Sequence, residues 1–145
     1  MSEFSITSSD FEEGEEIPKR CGYKHGNEQP GIGITNPPED TRCLALIMDD
    51  PDAMGAVGKV WVHWLCYFKN PRELLPDNEI KGKNDFGELG YGGPAPPDKP
   101  HTYVFKLYAL NTQLDLKEGF SKQELEESMY DHILEIANLT GTFAP

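Results

Sequence analysis

A chain of 145 residues, 37% of them hydrophobic, has the length for one domain (1–145) with a real core and is too apolar to be disordered. Twenty-five acidic against thirteen basic residues give a formal net charge of −12, which repels phosphate backbones and anionic lipid heads. Nucleic acid and stable membrane association are therefore excluded as expectations, and any anion the protein binds must be held by specific local donors.

The opening segment MSEFSITSSDFEEGEE has neither the basic start nor the apolar stretch of a signal peptide. No apolar run approaches the roughly 18 residues of a membrane span. Cys21, Cys43 and Cys66 are odd in number and lack C-x-x-C spacing, so neither a disulfide framework nor a zinc site is expected. These features together predict a cytoplasmic protein. The Asn138-Leu139-Thr140 sequon reads as chance in that setting.

Residues 1–41 are polar and rich in turn formers. Arg42 to Met48 (RCLALIM) is a short apolar run that stops at Asp-Asp-Pro-Asp, which predicts a buried strand running into a turn. In that turn, Asp50 and Asp52 have the spacing that sets two carboxylates on one side. Asp50, Asp52 and Gly55 also fall at positions 1, 3 and 6 of a calcium loop. Met54 and Trp61 then stand where that loop needs oxygen ligands, and the calcium reading fails.

Val60 to Phe68 (VWVHWLCYF) is aromatic and β-branched, the composition of a central strand. Regular alternation places His63 beside Trp61 and opposite Val62, Trp64 and Cys66. Residues 71–100 then form a stretch longer than the roughly 12–15 residues usual for a structureless loop, and its glycines and aromatics predict an ordered functional one. Glycines in GYGGPAPP allow backbone amides to approach a ligand, while the prolines fix the path. There is no GxxxxGK[ST] phosphate loop and no G-x-S-x-G nucleophile.

His101 to Leu110 (HTYVFKLYAL) is the third clear strand, with His101, Tyr103, Phe105 and Leu107 on one side. Ser121 and Glu124 form a capping box, and Leu125, Met129, Ile133 and Ile136 continue as an apolar helical stripe. The expected fold is mainly β, an antiparallel sandwich-like domain with a C-terminal helix. Two histidines and two aspartates near loop ends suit acid–base chemistry or a transition metal if they converge. Sequence spacing alone leaves that open.

The ordered set of segments resembles the phosphatidylethanolamine-binding protein family, in its bacterial and archaeal, Raf-kinase-inhibitor-like branch. The set comprises Gly14-Glu15-Glu16-Ile17-Pro18, LALIMDDPDA (44–53), Val62-His63-Trp64-Leu65 and NDFGELGYGGPAPP (84–97). It continues with His101-Thr102-Tyr103, VFKLYAL (104–110) and Thr140-Gly141-Thr142-Phe143. The resemblance implies two packed antiparallel sheets with a small anion pocket at one end. It implies that Asp50 and His63 line the pocket, with Asp52 beside it. His101 and Tyr103 match the family's His-Arg-Tyr, and Gly93 to Pro96, with Ala95, supply backbone walls.

Met54 replaces the proline of the family's DPDAP, and Thr102 replaces the arginine of His-Arg-Tyr. The function so implied is non-catalytic binding of a phosphate-like anion or phospholipid head group, without cofactor or metal, and inhibition of a serine protease or kinase. Residues 71–86 are the candidate contact loop for a protease, and a homodimer is expected by the same resemblance. The rival reading is a hydrolase or lyase that uses the Asp and His cluster.

Overall fold

The structure, a computed structural model, describes residues 3–145. A five-stranded antiparallel sheet organises it, in the order β5-β4-β3-β6-β7, and β1-β2 form a separate two-stranded sheet packed against it. The strands are β1 (Ser5–Thr7), β2 (Gly33–Thr35), β3 (Cys43–Asp50), β4 (Trp61–Phe68), β5 (Glu79–Lys81), β6 (His101–Leu110) and β7 (Ile133–Phe143). Two α-helices, α1 (Ala53–Val57) and α2 (Lys122–Met129), and two short 3-10 turns, Lys19–Cys21 and Pro76–Asn78, complete the regular structure of the described residues.

The large sheet is buried on both faces, which explains its long apolar runs. Leu44, Leu46, Met48, Trp64, Phe105 and Leu107 point to one face, where Phe4, Ile6, Phe11 and Ile17 cover them. Ala45, Ile47, Leu65 and Tyr67 point to the other, under Leu114, Phe120, Leu125 and Met129. Every residue of β3 is buried because it is the middle strand and both its faces are covered. Each fully buried leucine or isoleucine there contributes about 1.5–3 kcal/mol by leaving water.

The capping box forms as its spacing predicts. Glu124 N–H donates to Ser121 Oγ at 3.1 Å, and Ser121 N–H donates to Glu124 Oε1 at 3.0 Å. The helix it starts is shorter than its apolar stripe. Leu125 and Met129 are buried on α2, but Ile133 and Ile136 belong to β7, where they are 38% and 50% exposed. The chain therefore ends in a strand rather than a helix. Ile-Leu-Glu-Ile-Ala-Asn-Leu satisfies helical spacing at its start and strand alternation thereafter, and pairing with β6 over ten registered positions decides for the strand.

Regular alternation also fails in β4. The β3–β4 register passes from Met48↔Trp64 to Asp49↔Val62, so His63 is an extra, bulged residue. Val62 packs with Ile47 and Leu65 on one face, whereas Trp64 and Cys66 lie on the other. His63 meets Tyr103, which lies on the face of Trp64 and Cys66. The bulge thus leaves His63 beside Trp61 and opposite Val62, as alternation predicts, but brings Trp64 and Cys66 onto its own side instead of the opposite one.

Candidate functional site

Three adjacent strands deliver the site's side chains to one end of the large sheet. Asp50 ends β3, His63 sits at the β4 bulge, and His101 and Tyr103 open β6. Asp50, His63, His101 and Tyr103 are all buried.

His101 has a carboxylate on each ring nitrogen. Its Nδ1 is 2.6 Å from Asp50 Oδ2 and its Nε2 is 2.7 Å from Asp98 Oδ1. Carboxylates only accept, so both nitrogens donate, and a ring donating twice is the imidazolium. Burial opposes that charge, but the hydrogen bonds and charges of Asp50 and Asp98 outweigh it and raise the His101 pKa above 6.5. Burial likewise opposes the charge of Asp98, and the hydrogen bond from His101 reverses this to hold the carboxyl below the usual aspartate range.

His63 lies in the opposite state. Its Nδ1–H donates to the Gly92 carbonyl at 2.7 Å, and Gly92 N–H donates back to the His63 carbonyl at 2.7 Å. Burial lowers its pKa, and neither the Gly92 carbonyl nor the charge of Asp50 overcomes this. A neutral ring with Nδ1–H leaves the Nε2 lone pair free. One site thus holds a charged and a neutral imidazole, separated by Tyr103, whose ring lies 5.1 Å from His63 and 6.4 Å from His101.

Three polar atoms here are buried without a hydrogen-bond partner: Asp50 Oδ1, the Tyr103 hydroxyl and Trp61 Nε1. Buried polar atoms without partners cost about 1–3 kcal/mol each, so their gathering at one place makes this the candidate site. Burial, with the charge of Asp50, pushes the Tyr103 phenol far up, which keeps it a donor.

A cavity of about 70 Å³ opens against Asp50 and the two histidines, while Tyr103 is not among its lining residues. Asp50, His63 and His101 form its polar wall, and Val57, Trp61 and Phe86 its apolar one. Phe86 is fixed edge-on to both Trp61 and His63 and stacks on Tyr23 at 3.9 Å. A larger cavity of about 470 Å³ lies between Trp64, Phe68, Leu74 and Ile32, but no titratable side chain lines it. The small cavity holds the chemistry.

The remaining residues expected from the sequence take supporting places. Asp52 is exposed and accepts from Thr102 N–H at 2.8 Å, which ties the start of β6 to the turn before α1. Gly93 donates its N–H to Asn27 Oδ1 at 2.7 Å and packs against the backbone at Cys21. Ala95 lines the small cavity, while Pro96 lines a neighbouring one beside His25 and Phe143. Met54 is exposed on α1, away from the polar wall.

Sequence reasoning did not single out Asp98, Trp61, Phe86 or Pro97. Asp98 left a signal: it is the one acid between Glu88 and His101, three residues before a histidine that starts a strand. Phe86 and Trp61 left none, because their meeting depends on how the 82–92 loop folds back along β4. That return is made by Asp85 N–H to the Val62 carbonyl at 2.9 Å and Val62 N–H to Asp85 Oδ2 at 2.7 Å.

Fold and site together define an antiparallel β protein with a small His and Asp pocket at one end of its central strands. The profile of the family described as phosphatidylethanolamine-binding protein matches residues 7–144. A UPF0098 protein of Methanothermobacter thermautotrophicus is 40% identical over 144 residues, covering 92% of this chain and 93% of that one. A UPF0098 protein of Chlamydia muridarum is 37% identical, covering 95% and 97%.

Among solved structures, a putative phosphatidylethanolamine-binding protein homologue of Chlamydia trachomatis superposes with a TM-score of 0.87. It is 34% identical and covers 97% of this chain and 96% of its own. YbcL of E. coli, described as a member of the mammalian family, gives 0.83 at 29% identity and 98% coverage of both chains. The chain belongs to the phosphatidylethanolamine-binding protein family.

Proposed function

We propose that the protein binds a small phosphate-like anion in the pocket of Asp50, His63, His101 and Tyr103 without turning it over. We infer further that occupancy serves an inhibitory or regulatory role toward a protein partner, a serine protease or a kinase. One observation carries the pocket reading. His101 is held as a cation, oriented by buried Asp50, with Nε2–H aimed at an anionic oxygen 2.7 Å away. In the free protein that oxygen belongs to Asp98, whose side chain is 45% exposed. A ligand oxygen takes its place, and the Tyr103 hydroxyl supplies a second donor.

Binding without turnover fits the lining. No serine, threonine or cysteine is among the cavity's side chains. Cys66 lies in the core, and burial followed by the nearby Glu79 carboxylate pushes its thiol well up, so it is a poor nucleophile. His101 has no free nitrogen to act as a base while Asp50 and Asp98 hold it, and the free Nε2 of His63 has no hydroxyl or thiol among the lining side chains to activate. Within the described residues, no helix is long and apolar enough to cross a membrane.

Calorimetric titration with inorganic phosphate tests the reading. The wild type binds, and His101→Ala and His63→Ala each weaken binding. Unchanged affinity in both variants overturns the site.

A further inference from the structure

Among the described residues, part of the β7 edge of the large sheet has no backbone partner. On the outer side of β7, Gly14 N–H donates to the Thr140 carbonyl, Ile17 N–H to the Thr142 carbonyl and Thr142 N–H to the Glu15 carbonyl. Glu13 Oε2 accepts the Thr140 N–H at 2.7 Å. These bonds cover the C-terminal half of the strand. They also show that even-numbered residues turn their backbone groups outward, because amide direction alternates along a strand. By that alternation Ile136 and Asn138 present N–H and C=O to the same side, and among the described residues no loop backbone bonds to either.

The side chains around this open half are apolar and acidic. Ile133, Leu134 and Ile136 are 38%, 36% and 50% exposed. The charged residues of the strand and its flanks are Glu12, Glu13, Glu15, Glu16, Asp131 and Glu135, all exposed acids, with His132 the one titratable base beside them. Lys106, registered across from Asn138, is turned to Asp49 at 3.3 Å. An unpaired edge with exposed apolar residues is a template for another strand. A second copy of this chain, itself at −12, would bring acid against acid.

We propose that residues 133–138 of β7 receive an extended, basic segment of a partner protein by strand addition. The incoming backbone pairs with Ile136 and Asn138, an apolar side chain covers Ile136, and lysine or arginine on the other face meets Glu135. The site is independent of the His and Asp pocket.

The probe is a short, end-blocked peptide of alternating lysine and valine, titrated into the full chain by NMR. Binding slows hydrogen exchange at the Ile136 and Asn138 amides. A peptide with the same charges but methylated backbone nitrogens binds at least about tenfold more weakly. Ile136→Pro weakens the parent peptide by a similar factor, because it removes an outward N–H that no internal bond uses. Asn138→Pro does the same and serves if the first variant unfolds. Equal affinity for the methylated peptide shows adhesion by charge alone and overturns the proposal, as does absence of binding. A concentration-dependent dimer that Ile136→Pro dissolves assigns the edge to a second copy and overturns it too.

Discussion

Asp98 Oδ1 lies 2.7 Å from Nε2 of His101, on the nitrogen that Asp50 leaves free. In the proposed pocket this makes Asp98 an internal competitor for the ligand's oxygen. Asp98→Asn removes the competing charge and keeps the size of the side chain. Phosphate affinity then rises by about tenfold, close to 1.4 kcal/mol. Titration of wild type and variant side by side checks this, and weaker binding by the variant makes Asp98 part of the receiving site instead.

The two site histidines give opposite pH dependences. His101 has a raised pKa, so its stabilising contribution is complete below about 6.5, the unfolded value, and is lost as pH climbs through the folded pKa. His63 has a lowered pKa, so its contribution is complete above about 6.5 and is lost as pH falls through the folded value. NMR titration of the ring protons should place His101 above and His63 below that midpoint. Phosphate binding weakens as pH rises through the His101 transition, because the donor on Nε2 depends on the cation. A profile flat across that transition separates binding from His101.

Much of this site was legible in the sequence, for identifiable reasons. β3, β4 and β6 announce themselves because strands buried on both faces need long aromatic and β-branched runs, and Asp50, His63 and His101 lie in or at the ends of those runs. The bulge at His63 was hidden, since nothing in Val-His-Trp distinguishes regular alternation from one inserted residue. β7 was hidden because Leu125, Met129, Ile133 and Ile136 continue a helical spacing that only pairing with β6 interrupts. Asp98 stood in plain view but in a proline-rich loop, where the return of a carboxylate to a strand end depends on backbone path rather than residue type.

Gly93 tests how closely the loop must approach its neighbour. A Cβ added there would stand 2.0 Å from the Cys21 carbonyl oxygen and 2.8 Å from the Tyr23 backbone nitrogen. Both contacts are backbone, so no rotamer change relieves them. Gly93→Ala is expected to cost about 1–3 kcal/mol in denaturant unfolding. It also displaces the Gly92 carbonyl that accepts from His63 Nδ1–H and works against burial to raise the His63 pKa, so the His63 titration moves lower still. A variant of full stability and unchanged His63 titration shows that the loop moves freely.

The three thiols offer a check on the core that needs no ligand. Burial raises Cys21 and Cys43 to about 11 and pushes Cys66 well above the usual thiol value. All three are buried and free. At about pH 8 the native protein should react with a thiol reagent only as fast as it opens, and denaturant should release all three. Fast reaction of one thiol in the native state would place that cysteine nearer the surface than the fold allows.

Glu79 is buried with neutral partners, which makes its contribution separable from charge pairing. Trp64 Nε1–H donates to Oε2 at 2.8 Å, and Gln29 Nε2–H donates to Oε1 at 3.1 Å. Glu79→Ala leaves the indole N–H of a fully buried tryptophan without an acceptor, at a cost of about 1–3 kcal/mol. Trp64→Phe removes the donor instead and leaves the carboxylate with Gln29 alone. Combining the two changes removes both ends of the bond, so the double variant should be less destabilised than the sum of the singles. A coupling of about 1–2 kcal/mol between the two positions in unfolding experiments is the expected result. Strict additivity would mean that water already satisfies Glu79 and that the indole contributes by packing alone.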